Sequence, residues 1–292
     1  MAADSADGTN TSSHPNENVA AFYDTRVENR ADLNAKSTIG GGPAYHHSGI
    51  VRWNEQAPSN DDDALAWLFG TEQALTDLVW HLIQGLCPRQ PKRFLDAGCG
   101  EGATLGRFIQ LAKPSTIDVT GITLSPKQAG MAKQYFPQGT WLVEDMFQTD
   151  KLPASSFDAI LAIESTEYFG SERLPAFMKR AASWLDHGGL LVVVAGSWLE
   201  ASTADALALV NGFDGHYLTK LSSTAQYRHA AIEAGLEPLA ELDLSPTTLN
   251  YWKIRAERAA LRNSKDGFVE KIIAKAIESK KGEFRAYAWR RE

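Results

Sequence analysis

The chain has 292 residues, 43% of them apolar and 22% charged, with a net charge of −7. That length suits one large α/β domain with additions, or two small domains. An acidic chain without a basic block offers little to nucleic acid or to an anionic membrane surface. Its two cysteines, Cys87 and Cys99, form no CxxC pair and are too few for a disulfide framework or a structural zinc site.

The N-terminus lacks the basic and apolar regions of a signal peptide. No apolar run approaches the ~20 residues of a membrane span. The sequence therefore reads as cytoplasmic, and Cys99 inside a glycine-rich turn fits a reducing compartment.

Residues 1–16 are small and polar and read as a flexible N-terminus. Val19, Phe22, Tyr23 and Val27 recur at helical spacing over 17–30. A Gly/Pro stretch follows at 40–43, then the cluster Tyr45-His46-His47-Ser48-Gly49. Asp61, Asp62 and Asp63 suit a helix start, by capping and by charge against the dipole. Leu75, Leu78, Val79, Leu82 and Leu86 line one face of that helix, and Pro88 and Pro91 end it.

From Arg93 the chain alternates. Strands are predicted at 93–98, 118–124, 140–145, 157–164 and 190–195, with helices at 101–111, 126–135 and 172–185 between them. The run Leu190–Ala195 has no polar alternation, as a strand buried on both faces requires. Repeated strand–helix units imply a parallel sheet with right-handed crossovers. A helix at 227–234, a strand at 237–244, a long helical stretch over 246–280 and an alternating strand at 284–291 complete the chain. The expected organisation is a helical lid or substrate cap over 17–90 and a catalytic α/β domain over 91–292.

Leu95-Asp96-Ala97-Gly98-Cys99-Gly100-Glu101-Gly102 follows a strand and opens a helix. Glycines there let the backbone turn sharply and approach a ligand, and the helix offers unpaired N–H groups. A GxGxG turn alone also fits a dinucleotide enzyme, or a tight turn with no ligand. The D-x-G-C-G spelling resembles motif I of class I S-adenosylmethionine methyltransferases, where it cradles the amino acid end of the cofactor. The next strand ends Thr123-Leu124-Ser125-Pro126-Lys127-Gln128 instead of on an acidic residue. This resembles the subgroup containing cyclopropane-fatty-acid synthases and terpenoid methyltransferases. Ser125 and Gln128 are candidates for the ribose hydroxyls, and Ser125 is equally a helix N-cap. By the same resemblance Asp145 accepts from the adenine amino group and Met146 covers the ring; Ile163 is a further cofactor-binding candidate. The alternative for Asp145 is a solvated loop carboxylate.

Glu164 ends an otherwise apolar strand, where α/β sheets place chemistry. Burial would raise its pKa and suit it to act as a base, though it also reads as a cofactor contact or a structural carboxylate. Five segments then occur in order: Y-H-H, E-S-T-x-Y (164–168), G-S-W (196–198), P-x-T-L-x-Y-W (246–252) and E-S-x-x-x-G-x-F-x-Y (278–287). Together they resemble the geranyl diphosphate C-methyltransferase family over roughly residues 18–292.

The resemblance implies a Rossmann-like fold with a seven-stranded, mostly parallel sheet whose last strand is antiparallel. It implies alkene methylation through a carbocation, quenched by Glu164. Tyr45, Tyr168, Phe169, Trp198, Tyr251 and Trp252 are the candidate aromatic wall, each equally readable as core packing. Arg26, Arg30, His46 and His47 are candidates for the acceptor's head and Tyr23 is a further substrate-binding candidate, with Mg2+ accompanying a diphosphate and no metal ligand assigned. The chain has Asp24-Thr25 where the relatives carry asparagines, and its histidine cluster is shorter.

The leading acceptor is geranyl diphosphate or another short prenyl diphosphate. A prenylated natural product without diphosphate, with or without cyclisation, stays open. So do a small-molecule O- or N-methyltransferase and a non-catalytic S-adenosylmethionine-binding protein. The upstream amphipathic helix also suits packing on a second subunit in a homo-oligomer.

Overall fold

The computed structural model describes residues 17–27, 43–52, 55–199, 211–212, 214–258 and 267–292. The stretch read as flexible at 1–16, the Gly/Pro segment at 40–42 and Arg30 lie outside them.

Seven strands form one sheet in the order β3-β2-β1-β4-β5-β7-β6. They are β1 (Arg93–Ala97), β2 (Asp118–Thr123), β3 (Thr140–Val143), β4 (Phe157–Ile163), β5 (Leu185–Trp198), β6 (Leu236–Asp243) and β7 (Gly282–Arg291). β1 to β5 pair in parallel, and β7 runs antiparallel to both β5 and β6. The fold is the expected Rossmann-like methyltransferase architecture. Chain order reverses at β1/β4, the point where open α/β sheets leave a crevice at the strand ends.

The helices that frame the sheet and the cavities include α1 (17–27), α2 (Asp61–Leu86), α3 (Ala103–Ala112), α4 (Pro126–Tyr135), α5 (Gly170–Trp184), α6 (Thr224–Glu233), α7 (Ser245–Glu257) and α8 (Phe268–Glu278). None among the described residues is long and apolar enough to cross a membrane. α2 starts on Asn60, whose side chain accepts from the Asp63 N–H, with Asp61–Asp63 in its first turn.

Alternation along the strands feeds two cores. Ile160, Ala162, Leu191, Val193, Tyr287 and Trp289 face α5 and α6. Ala159, Leu161, Val192, Val194, Ala286 and Ala288 face α2 and α3. Because Leu75, Val79, Trp80 and Ile83 pack there, α2 belongs to the sheet's own core although it lies inside the expected cap. A third cluster joins Val51 and Leu68 to Tyr251 and Trp252 of α7 and Ala274 and Ile277 of α8.

Most elements lie within three residues of the sequence reading, and two differ by more. β5 is longer than 190–195, because antiparallel pairing with β7 carries it through Trp198↔Gly282. The helical stretch 246–280 is two helices, with α8 entered through Gly267 at φ +64°.

Candidate active site

A cavity of about 550 Å³ opens at the C-terminal ends of β1, β2 and β4. Two smaller cavities, of about 60 and 50 Å³, adjoin it, and Glu164 lines all three.

One end of the large cavity is backbone. Gly98 and Gly100 sit at φ +105° and +52°, a region that disfavours L side chains. The Gly98 and Cys99 N–H groups donate to the Ile122 carbonyl at 2.9 and 3.0 Å, which closes the turn. A Cβ on Gly100 would come within 3.1 Å of the His46 ring, so the turn and the Tyr45–His47 segment leave a narrow cradle.

Asp96 lines this end, 3% exposed, with no hydrogen-bond partner among the described residues. Burial pushes its carboxyl up to about 7. A buried carboxylate aimed into a cavity calls for a cationic ligand group. The ammonium end of S-adenosylmethionine supplies one, so the residues fit that cofactor.

Thr123 donates from Oγ1 to Gln128 Oε1 at 2.8 Å, which turns the Gln128 amide nitrogen toward the glycine turn. Ser125 is the N-cap of α4, accepting the Gln128 N–H, and its hydroxyl donates to Asp24 of α1. The Lys127 N–H donates to the same Asp24 oxygen at 3.3 Å. Asp24 thus brings a carboxylate from α1 to the end of β2, where the sequence had appeared to lack one. It does not line the cavity; Asn18, Val19, Ala20 and Tyr23 of α1 do.

Leu124, Asp145, Met146 and Ile163 also line the large cavity. Asp145 Oδ1 accepts the Phe147 N–H at 2.9 Å, and its Oδ2 lies 3.6 Å from Arg173, whose guanidinium sits 3.8 Å over the Phe147 ring. Phe169 was grouped with the acceptor's wall, but it packs on Phe147 and Phe177 at this end of the large cavity.

Glu164 stands past the end of β4 at φ +50°, a strained region for a non-glycine residue. Its N–H is held by the Val194 carbonyl at 2.7 Å, and Ser165 Oγ ties the turn to the Ala97 carbonyl at 2.5 Å. Its Oε1 accepts the Ser48 N–H at 2.5 Å. Burial pushes its pKa up to about 7, against that hydrogen bond.

The polar 50 Å³ cavity collects Tyr23, Arg26, Tyr45, His46, His47, Tyr168 and Trp252 from the sequence candidates. The Tyr23 and Tyr168 hydroxyls are 2.5 Å apart, and burial raises both phenols. His46 Nε2 is 2.9 Å from Glu101 Oε1. His47 is tied at both nitrogens, to the Ser48 carbonyl at 2.8 Å and to Thr76 at 3.3 Å. The apolar 60 Å³ cavity holds Trp198 and Trp252, with Trp198 Nε1 donating to the Leu221 carbonyl at 3.1 Å.

Tyr251 does not belong to this wall. It is fully buried in the α2/α7/α8 cluster, lines none of the three cavities, and donates to Glu72 Oε1 at 2.6 Å. Its aromatic ring served packing, the other reading open to it.

Sequence reasoning passed over four charged residues. Glu101 is wholly buried and holds the Ala44 N–H at 2.8 Å as well as His46. Arg255 donates to the Tyr251 hydroxyl at 3.1 Å and to Glu270 at 3.2 Å, and lines the polar cavity with Glu72 and Glu167. Only Glu101, a charge inside the glycine turn, carried a local signal.

Residues 94–189 match the family model described as a methyltransferase domain. The chain is 30% identical over 236 residues to 27-O-demethylrifamycin SV methyltransferase of Amycolatopsis mediterranei, covering 78% of this chain and 82% of that protein. It is 26% identical over 271 residues to geranyl diphosphate 2-C-methyltransferase of Streptomyces lasalocidi, covering 87% and 84%. Geranyl diphosphate C-methyltransferase from Streptomyces coelicolor A3(2), solved with Mg2+, geranyl diphosphate and S-adenosyl-L-homocysteine, shares the fold. Its TM-score is 0.75 at 21% identity, over 96% of this chain and 99% of that one.

Proposed function

The chain belongs to the class I S-adenosylmethionine-dependent methyltransferases, in the family that includes the geranyl diphosphate C-methyltransferases, and on that premise we propose that it methylates an alkene carbon of an isoprenoid. The observation that carries this reading is Glu164, a half-buried carboxylate at the junction of three cavities.

Asp96 and the glycine turn hold the amino acid end of the cofactor. Gln128 and Ser125 face its ribose, and Asp145 with Met146 takes its adenine. S-adenosylmethionine, when bound, supplies an electrophilic methyl group on a sulfonium. The acceptor's π electrons form the new C–C bond as the methyl–sulfur bond breaks, and positive charge is left on the acceptor's neighbouring carbon. Tyr45, Tyr168 and Trp252 stand beside Glu164, and ring faces stabilise such charge by about 0.5–2 kcal/mol each. Glu164 takes a proton from the adjacent carbon and the alkene re-forms. A carboxyl poised near 7 is basic enough for that step and still partly ionised at neutral pH. The apolar cavity beside Trp198 holds hydrocarbon and keeps water from the cation.

Geranyl diphosphate is the acceptor that the relatives' names suggest. A specific observation favours a second reading, an isoprenoid without a diphosphate. In the polar cavity Arg26 and Arg255 share the lining with Glu72, Glu164 and Glu167, and Arg255 is already paired with Glu270. Among the described residues no three His, Cys, Asp or Glu side chains form a group that could hold a metal ion.

The test is methyl transfer from labelled S-adenosylmethionine to isopentenyl, geranyl and farnesyl diphosphates and their alcohols, with magnesium and with chelator. Glu164→Gln should lower turnover by about 10²–10⁴-fold with cofactor affinity kept. An unchanged rate in that variant removes Glu164 as the base.

A further inference from the structure

Glu167 occupies the position that the E-S-T-x-Y pattern leaves open. It sits in the 3-10 turn Thr166–Tyr168, 4% exposed, and lines both the apolar and the polar cavity. Its Oε1 accepts the Gly196 N–H at 2.6 Å, and its other oxygen has no hydrogen-bond partner among the described residues.

The buried carboxylates around it are placed differently. Glu101 holds His46, and Glu270 holds Arg255. The charged groups that act on Glu167 are Glu164 and Asp214, both carboxylates. Arg26 and Arg255 line the same polar cavity, but among the described residues neither makes an ion pair with Glu167, and burial with the Glu164 charge holds Glu167 well above the ordinary carboxylate range. The side chain is then a neutral acid that lines both small cavities. A buried donor without an acceptor is costly, so the group that completes it must arrive with the acceptor molecule.

We propose that Glu167 selects the acceptor: it donates its O–H to a neutral oxygen, a hydroxyl or carbonyl carried close to the methylated alkene, while the hydrocarbon fills the apolar cavity beside Trp198. This rests on the alkene-methylation reading above. A diphosphate would bring further negative charge against Glu164 and Glu72 in the same cavity. A neutral oxygen takes the hydrogen bond and adds none.

The experiment uses the full chain, labelled S-adenosylmethionine, and two matched pairs of probes: geraniol with geranyl diphosphate, and farnesol with farnesyl diphosphate. Wild type should use an alcohol with a kcat/KM about tenfold or more above its diphosphate. Glu167→Met should cut the alcohol's kcat/KM by about tenfold, mainly through KM, and so shift the ratio toward the diphosphate. Glu167→Gln keeps an N–H donor and should retain most of the preference. Equal cofactor affinity in the three proteins separates selection from unfolding, and should Glu167→Met not fold, the wild-type ratio decides. A wild-type preference for a diphosphate, or a ratio unmoved by Glu167→Met, overturns the proposal and leaves Glu164 chemistry standing. Cofactor binding with no transfer to any of the four probes overturns the alkene-methylation reading, and the proposal with it.

Discussion

The cofactor end of the cavity system and its acceptor end are assembled over different spans of chain. Asp96, Gly98, Gly100, Thr123, Gln128 and Asp145 come from three successive strand–turn units, and much of what they offer is backbone. The acceptor end draws on residue 23 of α1, the 45–48 segment, Glu72 of α2, the turn after β4 and Arg255 of α7. It is built from side chains, and its buried charges lean on one another: Tyr251 on Glu72, Arg255 on Tyr251 and Glu270. A backbone cradle tolerates change nearby, so long as the turn keeps its φ angles. A buried charge network does not, because losing one member strands the next.

The sharpest way to break the comparison is Arg255→Met. It takes the guanidinium away from Glu270 and from the Tyr251 hydroxyl and should lower stability by about 3–5 kcal/mol in denaturant unfolding. Adding Glu270→Leu should recover part of that loss. A single variant as stable as wild type would mean that the acceptor end is not a coupled network.

Gly100→Ala should act at the other end, and mostly on binding. Its φ of +52° and the 3.1 Å approach to His46 add about 1–3 kcal/mol of strain. Cofactor affinity by calorimetry should fall about tenfold or more.

Asp96 gives the cofactor end a pH signature. Its folded pKa of about 7 lies above the ordinary 3.8, so the folded state holds its proton more tightly than the unfolded chain does. Its contribution to stability is therefore complete below about pH 4 and is lost as pH rises through 7. In denaturant unfolding Asp96→Asn should be more stable than wild type at pH 8 and no more stable at pH 4. The gain is at most about 1.4 kcal/mol for each tenfold difference in proton affinity between the folded and unfolded chain. Affinity for the cationic cofactor end should run the opposite way. In wild type it should fall by up to about tenfold for each step of one in pH below 7, and the variant should lose that dependence.

The smallest effect belongs to Asp24, which joins the two ends by clasping α1 to the start of α4. A carboxylate at a helix N-terminus is worth about 0.3–1 kcal/mol. Asp24→Asn should accordingly speed cofactor dissociation about two- to fivefold in stopped-flow measurements.

The contrast in chain span also decides what could be read from the amino acids. Asp96, Ser125, Asp145 and Glu164 end strands whose patterns are local, and the structure gathers them around one cavity. The helix Pro126–Tyr135 matched its sequence bounds because Ser125 caps it and Pro126 starts it. Tyr251 carried a motif yet went to packing, since α2 and α8 close over it. Arg255 and Glu270 gave no local signal: their meaning lies in being brought 3.2 Å apart by two helices from separate segments.

What the sequence by itself determined is the alternation of strands and helices, the glycine turn and the residues that end each strand, because these follow from periodicity and from φ restrictions within a few residues. Tertiary structure alone decided that Asp24 reaches α4, that β5 extends along β7, and that Glu167 keeps a carboxyl oxygen without a partner between two cavities. Burial and charge pairing depend on which distant segments arrive around a side chain, and no short stretch of sequence encodes that.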